Sequence, residues 1–304
     1  MPHAVAIDIG GTKMEGVLFD EKYRLLRKQR VYFRKHAADP EVRMPRREVL
    51  KMFTDLVAET KAGHDISGIG ISIPDIITSN GTILGKSKIR ALDDFPLAPW
   101  LKKAVKSEVV VRNDADCFAL GEFVCGAGRG NQDLVGVIWG TGIGAGVILD
   151  GHLYRGAYGS AGEFGHNSIN PQGPVCRCGI RGCVEAYAGG PNLVANYLAA
   201  GGDLPDPTPK SIYSAKSAVA KKAMADAVTA MGKGLAQLAN ILSIQYFVLG
   251  GGLSNLDIYA AVTREAKKYT RDGLRDRIKV VKNKLGDSAG VYGAAYLVFS
   301  GDKH

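Results

Sequence analysis

Ala4-Val-Ala-Ile-Asp8-Ile-Gly10-Gly11-Thr12-Lys13-Met-Glu-Gly16-Val-Leu-Phe19 holds two short apolar runs joined by a glycine-rich turn. Ala4 to Asp8 is nearly continuous in apolar residues, the pattern of a buried strand. Gly16 to Phe19 resumes as a strand, so the pair reads as a hairpin, and Leu25 to Phe33 reads as a third strand. A turn leading into a helix would suggest a dinucleotide fold; this one leads into a strand, which argues against it. Neither the Walker pattern nor the dinucleotide fingerprint fits the glycines. They still stand where a backbone turns tightly and approaches a ligand, and free N–H groups in such turns cradle phosphate oxygens. Thr12 and Lys13 add a hydroxyl and a cation, and Asp8 is placed to hold a hydrated Mg²⁺ beside the phosphates. The competing reading is structural, because most glycine turns after strands serve only to turn the chain.

The same order recurs further along. Arg46 to Ala62 has helical spacing, with Val49, Leu50, Phe53, Leu56 and Val57 on one face. Ile69 to Ile73 is a buried strand ended by Pro74. A second cycle then runs from a strand at Val109 to Val111, through Asn113-Asp114, into a helix from Ala115 to about Cys125. Leu134 to Trp139 is a strand that ends at Gly140-Thr141-Gly142-Ile-Gly144, with Ala145 to Leu149 as its hairpin partner. Pro205 to Pro209 is a break, and Ala215 to Leu242 is long and amphipathic. A strand from Gln245 to Leu249 ends in a third turn, Gly250-Gly251-Gly252. A helix from Leu256 to Thr270, a strand from Ile278 to Val281 and a helix from Ala289 to Phe299 follow. The pattern implies two similar α/β halves: residues 1–112 with about 288–304, and residues 113–287.

Between them lies Glu163-Phe-Gly-His166, then Cys176-Arg-Cys178-Gly-Ile-Arg-Gly-Cys183-Val-Glu185. An imidazole and three thiolates at this spacing suit a closed, four-coordinate structural zinc site of His166, Cys176, Cys178 and Cys183. With no open coordination position, the zinc is expected to hold a loop that places Glu163 and Glu185. The other two cysteines, Cys117 and Cys125, fall on one predicted helix and are expected to pack as small apolar groups.

Asn113-Asp114 falls at the carboxyl end of a strand, where open α/β sheets bind ligands. Asp114 is the candidate to accept a proton from a substrate hydroxyl while Asn113 orients the same molecule. Either residue is equally a good helix N-cap. Both readings hold if one caps and the other reacts.

Bulk properties narrow the setting. A chain of 304 residues suggests two domains. No apolar run approaches the ~18–20 residues of a membrane helix, and the N-terminus lacks a secretory signal, so the expected compartment is the cytoplasm. Disulfides are not expected there. The net charge of +9 is concentrated between Lys22 and Arg47, a segment that includes Lys35. Nucleic-acid binding is one reading, but no stacking platform or motif accompanies the charge. A solvated face on an edge strand and the next helix is the simpler reading.

Taken together, these motifs resemble the ROK family of repressors, open reading frames and sugar kinases, over nearly the whole chain. The resemblance implies a two-lobed, actin-like ATPase (ribonuclease H-like) fold with a structural zinc loop and a cleft between the lobes. It implies transfer of the γ-phosphoryl group of ATP, with Mg²⁺, to a sugar hydroxyl, usually the 6-hydroxyl of a hexose. Asp114 matches the family's general base. Asn113, Glu163, His166 and Glu185 match its sugar contacts, and His166 with Cys176, Cys178 and Cys183 its zinc ligands. Asp8, Gly10 to Lys13, Gly140, Thr141, Gly142, Gly144 and Gly250 to Gly252 match its nucleotide contacts. One departure is Asp75, which follows Ile73-Pro74 where the family often has glycine; a carboxylate there adds a hydroxyl contact or narrows the pocket. A glucokinase or broader hexokinase is the favoured expectation. Kinases for N-acetylglucosamine, N-acetylmannosamine or fructose share these residues, and polyphosphate is an alternative donor. A sugar-sensing repressor is disfavoured because only seven residues precede Asp8, too few for a helix-turn-helix. The resemblance also implies a homodimer.

Overall fold

The computed structural model describes residues 2–34 and 41–301; Lys35, in the basic segment, falls outside them. Contacts divide the chain into two compact units. The first holds the residues up to Arg129, the segment Arg155–Ala161 and the residues from Asp287; the second holds Gly130–Tyr154 and Gly162–Gly286.

In chain order the first unit contains β1 (His3–Ile9), β2 (Lys13–Asp20), β3 (Leu25–Tyr32), α1 (Arg46–Lys61) and β4 (Gly68–Ile73). A short hairpin of β5 (Ile76–Ile77) and β6 (Ile83–Leu84), then α2 (Leu97–Val105), β7 (Val109–Asn113) and α3 (Asp114–Val124), follow. Its sheet runs β3-β2-β1-β4-β7. β1 pairs antiparallel with β2, Ile9 opposite Met14, and parallel with β4, which in turn pairs parallel with β7. β4 is buried throughout and β1 from Ala4 to Ile7, which is why their sequences read as nearly continuous apolar runs. β3 is the exposed edge.

The second unit begins with the hairpin β8 (Leu134–Trp139) and β9 (Ile143–Leu149), then β10 (His152–Tyr154). The helices α4 (Val184–Ala188), α5 (Gly190–Ala199), α6 (Pro209–Ser214) and α7 (Ala218–Leu242) lead to β11 (Tyr246–Gly250), α8 (Tyr259–Tyr269) and β12 (Lys279–Lys282). The sheet runs β10-β9-β8-β11-β12, again a hairpin followed by parallel strands. α7 starts where the Ser217 side chain caps the Ala220 N–H, and it buries Ala220, Ala227, Met231, Leu235 and Ala239 on one stripe. The expected duplication is therefore present as repeated topology.

α9 (Ala289–Phe299) returns to the first unit. It is apolar on all sides and packs where glycines let backbones touch: a Cβ at Gly293 would stand 1.8 Å from the Cys117 carbonyl oxygen, and one at Gly121 2.1 Å from that of Ala289. This packing, with the β4–β7 ladder, places Val109 to Val124 in the first unit, whereas the sequence reading began the second half at residue 113. Cys117 is fully buried, but Cys125 caps the end of α3 and is only half-buried. Much of the basic segment is internally neutralised: Lys28 and Arg30 meet Glu15, Arg24 meets Asp20, Arg34 meets Glu48 and Arg43 meets Glu41. Among the described residues, no helix is long and apolar enough to cross a membrane.

Candidate active site

In the first unit the polar groups gather at the carboxyl ends of β1, β4 and β7. Asp8, next to last in β1, accepts a hydrogen bond from Ser72 Oγ at 2.6 Å. Burial pushes its carboxyl from the usual 3.8 up to about 6, and the negative charge of Asp114 adds to the rise. The β1–β2 turn is closed by the Gly10 N–H on the Lys13 carbonyl at 3.0 Å. Gly11 has no described atom within 4 Å of where a Cβ would lie. Packing does not demand a glycine there, which leaves room for a ligand to approach the turn.

Asn113 and Asp114 divide their roles. Asn113 is the N-cap of α3: its Oδ1 accepts from the Ala115 N–H at 2.8 Å and its Nδ2 donates to the Asp75 carbonyl at 3.2 Å. Asp114 stands in the first helical turn, and its Oδ1 accepts from the same N–H at 2.9 Å. Asn113 thus joins the start of α3 to Asp75, while Asp114 begins the helix beside it. Asp75 turns one carboxylate oxygen to the buried Ser87 hydroxyl at 2.8 Å, and burial raises its pKa.

The other two glycine turns lie together in the second unit. Gly140, Thr141 and Gly252 line one cavity of about 910 Å³, with Pro191, Val194 and Leu256 among its apolar walls. Turn and apolar slot side by side are what a nucleoside phosphate requires. The apolar wall residues gave no motif in the sequence, and Pro205 to Pro209 read only as a break. Gly252 has open space where a Cβ would go, whereas Gly251 is structural, with φ at +86° and the Trp139 carbonyl 2.5 Å from its would-be Cβ. The first glycine turn, Gly10 to Lys13, belongs to the other unit.

Glu163 to His166 forms one 3-10 turn pressed on β9, where a Cβ at Gly165 would sit 2.4 Å from the Ile143 carbonyl. The Glu163 carboxylate is half exposed and lies 3.7 Å from His166 Nε2. The other ring nitrogen, Nδ1, is buried without a hydrogen-bond partner among the described residues. His166, Cys176, Cys178 and Cys183 bring their donor atoms within 4.8 Å of one another. A borderline-soft divalent ion is the partner this donor set fits, and it would satisfy the orphaned Nδ1. Burial pushes the Cys183 thiol up to about 12, so loading a metal there displaces a proton. Glu185, which the resemblance matches to a sugar contact, is buried, its carboxylate accepting from the Ile143 N–H at 2.8 Å and pairing with Arg177 at 3.3 Å.

The doubled sheet, each half a glycine-turned hairpin followed by parallel strands, is the architecture of the actin-like ATPases. The chain belongs to the ROK family, whose model matches residues 4–300. An N-acetylgalactosamine kinase of Shewanella sp. strain ANA-3 is 32% identical, with 96% of this chain and 95% of that protein covered. Two solved structures are similar. A ROK hexokinase from Thermus thermophilus has 29% identity and a TM-score of 0.84, covering 96% of each chain. A ROK glucokinase from Streptomyces griseus, in complex with glucose and AMPPNP, has 30% identity and a TM-score of 0.78, with 97% of this chain and 98% of that one covered.

Proposed function

We propose that this chain is an ATP-dependent sugar kinase that phosphorylates a hexose at its 6-hydroxyl, with glucose the first candidate. The observation that carries the reading is the pair Asp8 and Asp114, at the carboxyl ends of β1 and β7 and within electrostatic reach of each other. Phosphoryl transfer needs little covalent chemistry from the protein; it needs positioning and charge stabilisation. Two carboxylates in unequal environments fit that demand. Asp8, buried and hydrogen-bonded by Ser72, would hold the hydrated Mg²⁺ that accompanies ATP. Asp114 takes the proton of the attacking hydroxyl, a role worth about 10²- to 10⁴-fold in rate. Backbone N–H groups of the Gly140 and Gly252 turns in the second unit are the proposed nucleotide contacts, and those of the Gly10 to Lys13 turn are the first unit's candidates for phosphate oxygens. Glu163 and His166 Nε2 face outward as hydroxyl partners for the sugar. The metal proposed for the His166–Cys183 cluster is zinc, which would fix the loop carrying Glu163.

One observation favours a second substrate class, because the 32%-identical relative acts on N-acetylgalactosamine. A panel of glucose, mannose, fructose and the N-acetylhexosamines, assayed with ATP and Mg²⁺ and again with polyphosphate, separates these choices. Turnover on none of the sugars defeats the kinase reading. Assembly as a homodimer is proposed with it, and light scattering of the purified chain tests this.

A further inference from the structure

Three hydrogen bonds tie the Gly140 to Gly144 turn to the segment that follows the last cysteine. Trp139 Nε1 donates to the Ala188 carbonyl at 2.7 Å, the Gly190 N–H donates to the Gly140 carbonyl at 2.9 Å, and the Ile143 N–H donates to Glu185 Oε2 at 2.8 Å. That segment is anchored at its start by the metal cluster, because Cys183 is the N-cap residue of α4. A second link runs through the same side chain: Glu185 Oε1 lies 3.9 Å from Cys176 Sγ and 3.3 Å from Arg177 Nε. One buried carboxylate therefore touches the phosphate turn with one oxygen and the cysteine loop with the other.

The turn leaves room for this contact at Gly142. A Cβ at Gly142 would stand 2.9 Å from Glu185 Oε2 and 3.4 Å from Arg177 Nη2, so a side chain there would have to displace the Glu185 carboxylate. A carboxylate beneath a turn that receives an anion is unfavourable unless its charge is cancelled. Arg177, 68% exposed and standing between two of the cysteines, supplies that cancellation.

We propose that Glu185 is a positioning residue for the nucleotide, a strut through which the metal-bound cysteine loop sets the geometry of the Gly140 to Gly144 turn. The metal and the nucleotide are then coupled: loading the cluster tightens nucleotide binding, and by linkage nucleotide tightens the metal. This rests on the reading above that the turn holds ATP phosphates. It gives the cysteine loop a role toward the donor as well as toward the sugar.

The test is calorimetric affinity for Mg²⁺·AMPPNP, without sugar, on zinc-loaded and chelator-stripped protein. Stripping is expected to weaken binding by wild type by about tenfold or more, the worth of one charge-assisted hydrogen bond. Glu185→Ala is expected to be weakened to a similar degree when loaded and to respond little to stripping. Glu185→Gln, whose amide oxygen can still accept from Ile143, is expected to recover most of the affinity. Arg177→Met, at an exposed position, provides a variant that folds if Glu185→Ala does not, and it too is expected to lose affinity. Loaded variants that bind AMPPNP as wild type does, or stripping that weakens wild type and Glu185→Ala equally, overturn the strut. Wild type that binds no AMPPNP in either metal state overturns the nucleotide reading instead.

Discussion

Asp8→Asn is expected to stabilise the folded chain at neutral pH while removing its activity. Burial lifts this carboxyl from the usual 3.8 to about 6, against the opposing hydrogen bond from Ser72. A folded-state pKa above the unfolded one means the proton is held more tightly in the folded state, so ionisation costs stability. The penalty is slight below pH 3.8, grows as the pH rises toward 6, and is complete above it. A rise of about two units corresponds to about 3 kcal/mol at pH 7.5, and to about 1 kcal/mol at pH 4.5. Asparagine carries no charge and keeps an oxygen for the Ser72 hydroxyl, so the variant escapes the penalty. Thermal unfolding without divalent cations should show a gain of roughly 5 °C or more at pH 7.5 that shrinks at pH 4.5. A variant no more stable than wild type at pH 7.5, or a gain that does not change with pH, refutes the reasoning. Adding Mg²⁺ with ATP should raise the Tm of wild type and not that of Asp8→Asn.

The cysteine loop and the glycine turns yield two more predictions. Cys178→Ala should lower bound zinc and sugar affinity together, read by metal analysis and by KM; full zinc with unchanged KM contradicts the scaffold role. Gly251→Ala should cost ~2 kcal/mol or more in denaturant unfolding, because it forces a side chain at positive φ against the Trp139 carbonyl. Gly11→Ala, with open space around it, should leave unfolding within ~0.5 kcal/mol of wild type and weaken nucleotide binding instead. Equal stability of the two alanine variants would show that the glycines were sorted wrongly.

Much of the fold could be read because its central strands are buried on both faces. β1 and β8 are short apolar runs followed by glycine, and β4 one followed by Pro74, and that signal is local. α2 was missed because Leu97 to Val105 is short, starts after Pro96 and shows only Leu97, Ala98 and Leu101 to the core. The first-unit membership of α3 was invisible because it depends on backbone contacts with the distant α9, through Gly121 and Gly293. In the site, residue types announced the donor set of His166, Cys176, Cys178 and Cys183, since few other roles gather those groups. Roles among neighbours were less legible. Spacing alone does not say that Asn113 caps while Asp114 does not, or that Gly142 accommodates Glu185 while Gly11 faces open space. The apolar walls of the cavity beside Gly140 and Gly252, such as Val194 and Leu256, have no chemical signature at all.

The account stands most directly on steady-state phosphorylation of its best sugar by wild type and by Asp114→Asn, with sugar binding measured on both. Asp114→Asn is expected to lose at least ~10²-fold in kcat while its sugar affinity stays close to wild type. A variant that keeps full turnover would contradict the assignment of Asp114 as the base.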